Sequence, residues 1–200
     1  MNGLSIRKLG WIGLLAAVAV IAQASTAHAH VGVGPVHDVL HGLEHPLTGL
    51  DHVCAMVAVG IWAAQRGGRA IWLVPLSFVL VMAIGGALGM AGVSLPFVEP
   101  GIVLSVVVLG LLVAAAVRLP LLVSVLIVGL FALAHGHAHG AEIPAVASGF
   151  AYAVGYIVAT TVLHLAGISF CLLGQRVSTS QAVRLAGVAI AACGVYLGVH

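Results

Sequence analysis

Charge is what this chain of 200 residues has least of. Seven Lys+Arg and five Asp+Glu make up 6% of it, against roughly 25% in an average soluble domain. So few charged side chains cannot cover the surface of a 20.2 kDa water-soluble globule, which excludes a soluble enzyme and a disordered segment. A formal net charge of +2 with scattered arginines excludes nucleic acid as a partner. Catalytic signatures are missing as well. There is no HExxH and no Walker motif, so zincin chemistry and ATP hydrolysis have no residues to run on. Ser148 and His164 would lie on one helix about four turns apart and cannot form a Ser/His pair. A bis-His haem would need facing pairs in mid-membrane, which the spacing of the histidines does not offer. The three cysteines, Cys54, Cys171 and Cys193, form no CxxC. Each sits in an apolar run, where cysteine behaves as a small hydrophobe.

What is present is apolar: 62% hydrophobic residues with a mean hydropathy of +1.23. This is the composition of an integral membrane protein. Against that background, eleven histidines are an excess, because histidine has no part in filling a bilayer.

The first 29 residues read as a cleavable secretory signal. Arg7 and Lys8 give a basic start, Trp11 to Ala22 a short apolar run, and Ala27-His28-Ala29 a small-x-small cleavage pattern, with Ala22-Gln23-Ala24 as a second candidate. Cleavage after Ala29 would leave His30 as the new N-terminus, where an α-amine and an imidazole together can chelate a metal. Residues 30–200 are then expected to form one all-α domain of six transmembrane helices, near 46–65, 70–92, 100–117, 120–139, 146–173 and 181–199. Most are close to the twenty residues that cross the hydrocarbon core.

The arginines orient this map. Arg66, Arg69, Arg118, Arg176 and Arg184 all fall on one side, which the positive-inside rule assigns to the cytoplasm. Both ends of the mature chain then lie outside, the end point a secretory signal requires. His37, His41, His45, His52, His135, His137, His139 and His200 sort to the outer side, as do Glu44, Asp51, Glu99 and Glu142. His164 lies deep within the fifth span.

Two clusters carry chemistry. The first is His45-Pro46-Leu47-Thr48-Gly49-Leu50-Asp51-His52. Pro46 suits a first helical position, and a helix begun there would present Thr48, Asp51 and His52 on one face. The second is His135-Gly136-His137-Ala138-His139-Gly140-Ala141-Glu142. His135, His139 and Glu142 follow i, i+4, i+7 spacing and share a face, which His137 does not. Gly136 and Gly140 leave room for another helix. Imidazoles and carboxylates converging in this way suit a borderline divalent ion such as nickel, cobalt, zinc or copper. For His164 two roles stand open, a ligand on a translocation path and a helix-packing hydrogen bond.

HPLTGLDH (45–52) resembles the HPxxGxDH signature of the HupE/UreJ family, and HGHAHGAE (135–142) resembles that family's second motif, HGxAHGxE. The likeness covers essentially the whole chain. It departs at Ala134, where the family pattern often has an aromatic, and Phe131 stands one turn earlier. The resemblance implies His45, Asp51, His52, His135, His139 and Glu142 as metal residues. It also implies a secondary permease that takes up Ni²⁺, or Co²⁺, across the bacterial cytoplasmic membrane for hydrogenase or urease maturation, with no permanent cofactor and no enzymatic activity. The alternative is a membrane metal-binding accessory protein that does not transport. The expected partners are the divalent ion and the lipid bilayer; monomer and homo-oligomer are equally compatible with the sequence.

Overall fold

The computed structural model describes residues 35–143, 147–176 and 180–200. The expected signal segment and His30 lie outside the described residues. Among the described residues seven helices follow one another: α1 Pro35–Thr48, α2 Leu50–Arg66, α3 Ala70–Met90, α4 Val98–Ala115, α5 Leu121–Ala141, α6 Gly149–Arg176 and α7 Ser180–Val199. No strand occurs among the described residues.

The side chains are arranged for lipid. Long apolar residues recur one turn apart on the outer faces: Leu73, Leu76, Leu80 and Ile84 on α3, and Leu122, Leu126 and Leu130 on α5, all more than a third exposed. In water such stripes would be a large aggregation surface; against hydrocarbon they are the natural exterior. The interior is built of small residues instead. Without a hydrophobic force between helices in lipid, close backbone packing holds them together. A Cβ on Gly136 of α5 would collide with the Met82 carbonyl of α3, and one on Gly140 with that of Gly86. Both glycines therefore admit the neighbouring helix, as their spacing implied.

α2 is the central element. Its run from Ala55 to Ala64 is buried almost throughout, with Val57 the one partly exposed position, and it packs against α1, α3, α4, α6 and α7. The five helices α3 to α7 are each long and apolar enough to cross a membrane, close to the spans expected from 70–92 onward.

The first span differs from expectation. Pro46 does not begin a helix; it lies within the last turn of α1, and the break falls at Gly49, where α1 and α2 meet at 80°. Near the end of a helix a proline removes only one backbone hydrogen bond, so the chain tolerates it there. The turn is closed by other groups. The Thr48 hydroxyl reaches the Glu44 and His45 carbonyls at 3.1 Å, and the His45 carbonyl also accepts the Gly49 backbone N–H at 3.2 Å. Gly49 then adopts an extended conformation (φ −76°, ψ 113°) and caps α2. Among the described residues, a sixth span exists only as this bent pair. α1 is fastened to α6 by buried Asp38, whose Oδ2 accepts the Ser148 backbone N–H at 2.8 Å.

At the far end of α2 the polar residues converge on the end of α4 and the start of α5. Trp62 Nε1 donates to the Val117 carbonyl at 2.9 Å and Gln65 Nε2 to that of Val113 at 3.0 Å. From α7, Arg184 Nε donates to the Ala114 carbonyl at 2.8 Å. The Arg66 guanidinium donates to the Ser124 hydroxyl. Arginine thus gathers at one end of the bundle, opposite the histidine motifs.

Candidate metal site

The two motifs, far apart in sequence, meet at one end of the molecule. The bend at Gly49 brings His45 from α1 over the start of α2, where His52 sits. The end of α5 supplies His139 beside them. One ring nitrogen from each of His45, His52 and His139 lies within 4.8 Å of the others. Ring centroids are 5.6 Å apart for His45 and His52, 4.8 Å for His45 and His139, and 4.6 Å for His52 and His139. Three imidazoles at this spacing match the donor set of a borderline divalent cation after a small closure.

Carboxylates stand behind the rings. Asp51 Oδ1 accepts from the His52 backbone N–H and from His52 Nδ1, each at 2.7 Å. A carboxylate accepts only, so Nδ1 carries the proton and Nε2 is left with a bare lone pair. That Nε2 is buried and has no hydrogen-bond partner among the described residues. This carboxylate–imidazole pairing is how proteins orient a ligating histidine. Asp51 is thus placed to act on a bound ion through His52, and it also lines the cavity. Gly49 leaves room for the pair: a Cβ there would sit 2.8 Å from Asp51 Oδ1 and 3.0 Å from His52 Nδ1. On the other side, Glu142 Oε2 lies 3.1 Å from His45 Nε2.

His135 lies one turn deeper than His139, fully buried, its ring 4.8 Å from that of His52. Its tautomer follows from Ser105. The single hydroxyl proton goes to the Ile102 carbonyl at 2.6 Å, so the hydroxyl must accept from His135 Nε2 at 2.9 Å. Nδ1 is then bare, buried and without a partner among the described residues. His139 has neither nitrogen paired among those residues; its ring is stacked on Tyr156 at 4.9 Å and 7°. Buried imidazole nitrogens left open in this number call for a partner from outside the chain, and a bound cation is one that they fit.

Above the histidines opens a cavity of about 280 Å³, lined by His45, Thr48, Gly49, Asp51, His52, Glu99, Ile102, Ala138 and Glu142. Three carboxylates, from Asp51, Glu99 and Glu142, line it against no lysine or arginine. Glu99, in the first turn of α4, was placed on the outer side from the sequence but not among the metal residues. Its signal was there, since it is one of only five acids in the chain.

The remaining candidates fall elsewhere. His137 is half-buried and its Nε2 donates to the Val93 carbonyl at 2.7 Å, outside the cluster. His164 is buried on α6 with both nitrogens unpaired among the described residues. It is separated from His135 by Phe78, whose ring lies 5.7 Å from His135 and 5.1 Å from His164. His164 therefore has no helix-packing hydrogen bond among the described residues. His200 stacks on Tyr196 at the chain end.

Comparison with known proteins agrees with the motifs. The family described as HupE / UreJ protein matches residues 17–197. A protein named HupE from Rhizobium leguminosarum bv. viciae is 47% identical over 180 residues, which is 90% of this chain and 94% of the relative. No solved structure matches.

Proposed function

This chain belongs to the HupE/UreJ family, and from that premise we propose that it is a permease for Ni²⁺, or Co²⁺, that captures the ion in the carboxylate-lined cavity and passes it inward. The membership supports a membrane role in nickel or cobalt handling for hydrogenase or urease, and transport rather than catalysis. The observation that carries the finer reading is the group of His45, His52 and His139 nitrogens within 4.8 Å of one another at the foot of that cavity.

The steps follow from the chemistry of each group. Asp51, Glu99 and Glu142 offset the desolvation of a doubly charged ion. An unpaired charge near the bilayer centre costs several kcal/mol, and less toward the ends, so the carboxylates belong at the mouth. His52 Nε2, held bare by Asp51, and His139 bind the ion as it leaves water, with His45 able to release Glu142 and join them. His135 Nδ1 is the next open donor, one turn deeper, and His164 follows beyond Phe78. His30, if it is the mature N-terminus, would offer a further capture ligand through its amine and imidazole. In this reading both mature termini and the cavity face the outside of the cytoplasmic membrane, and the arginine end faces the cytoplasm.

Reconstitution tests it. Proteoliposomes containing the wild-type protein should accumulate radioactive nickel, with cobalt competing more strongly than zinc. Protein that binds nickel at equilibrium but never accumulates it inside the vesicle would overturn the permease reading in favour of a non-transporting accessory protein.

A further inference from the structure

Cys54 on α2 and Cys193 on α7 stand 139 residues apart, yet their Sγ atoms are 3.8 Å from each other, with the Cys54 thiol donating. Both are free and partly buried. Cys171, the third cysteine, is fully buried and lies against Gln175 on its own helix.

Two features make the pair more than packing. The first is its level in the bundle. Cys54 is one turn below the start of α2, and Cys193 is within the last two turns of α7. Both are therefore at the histidine end, which is the end open to water through the cavity. The second is the close approach of the elements. Beside Cys193, Gly194 lies so near α4 that a Cβ would sit 2.8 Å from the Val107 backbone nitrogen, which holds this part of α7 firmly in the bundle. Two sulfurs at 3.8 Å touch without bonding. A disulfide needs about 2.05 Å, so the two sulfurs have less than 2 Å left to close.

We propose that Cys54 and Cys193 are a reversible dithiol/disulfide pair that cross-links α2 to α7. The oxidant is an external disulfide, either a small molecule or a disulfide-bearing oxidoreductase. One cysteine sulfur attacks a sulfur of that disulfide, breaking its S–S bond and expelling a thiol. The second cysteine then attacks the mixed disulfide, forming the Cys54–Cys193 bond and expelling the other half of the reagent as a thiol. The protein loses two hydrogens and two electrons, and the reagent gains them. The bond would fasten the first turns of α2, which carry Asp51 and His52, to the end of α7.

The test uses the purified full-length protein and the membrane-permeant aromatic disulfide 4,4′-dithiodipyridine. The expected product has lost about 2 Da with no reagent retained. Peptide mapping without reductant should join the Cys54 peptide to the Cys193 peptide within one chain, and dithiothreitol should reverse the link. Cys54→Ser should instead keep a thiopyridine adduct on Cys193. Separate stable adducts on both cysteines of the wild type, or a bond between two chains on a non-reducing gel, would overturn the proposal.

Discussion

His52 illustrates how much of this site is decided by single atoms. One of its nitrogens is fixed as a donor by Asp51 at 2.7 Å, and the other is buried and open. Removing the charge while keeping the size should therefore weaken metal binding through the imidazole: Asp51→Asn is expected to lower nickel affinity about 10- to 100-fold, the usual effect of losing such a partner. His52→Ala should do at least as much, while His137→Ala, whose ring serves the Val93 carbonyl, should stay within about twofold by the same comparison. Isothermal titration of the purified variants checks all three, and a loss for His137→Ala equal to that for His139→Ala would undo the assignment. A ligating imidazole must be neutral. Binding should accordingly weaken as acid protonates the free imidazoles, by up to about tenfold per pH unit for each proton displaced; equilibrium dialysis over a falling pH series would reveal the slope. At this scale the sequence was informative where chemistry is written in adjacent letters. HPLTGLDH and HGHAHGAE announce their donors by type and spacing. Ser105 does not announce itself, because its role arises only when α4 lies against α5 and meets a histidine thirty residues later. The thiol pair was hidden for the same reason.

Helices and their junctions fix where those atoms stand. The junction at Gly49 was misread from sequence because proline is the stronger local signal for a helix boundary. Thr48 bonding back to α1 and the extended Gly49 produce the boundary two to three residues later. The correction matters for function, since it is the 80° bend at Gly49 that folds His45 over the cluster. Gly49→Ala tests the junction. Its Cβ would press on the Asp51 carboxylate and the His52 ring, so nickel affinity should fall several-fold, with helix content by circular dichroism and membrane abundance unchanged. The other five spans were legible almost to the residue, because unbroken apolar runs of about twenty have no alternative in a bilayer.

For the molecule as a whole, polarity is the organising feature: imidazole and carboxylate at one end, guanidinium at the other. If the arginine end is cytoplasmic, reporter fusions at the Gly67–Gly68 turn and at Arg118 should be active only inside, and a fusion after His200 only outside. Phosphatase and fluorescent-protein reporters at these points give a direct reading, and the reverse pattern would reject the assigned orientation. The polarity itself was legible in the positions of five arginines along the chain. The arrangement at their end was not, since Trp62, Gln65 and Arg66 meet the end of α4 and the start of α5 only in three dimensions. That end is a barrier to cations. A doubly charged ion roughly 6 Å from a guanidinium is repelled by about 5.5 kcal/mol at an effective dielectric of 20. If the chain is a permease, as proposed, each passage would require the Arg66 guanidinium, which donates to Ser124, to move aside, whichever way the ion travels.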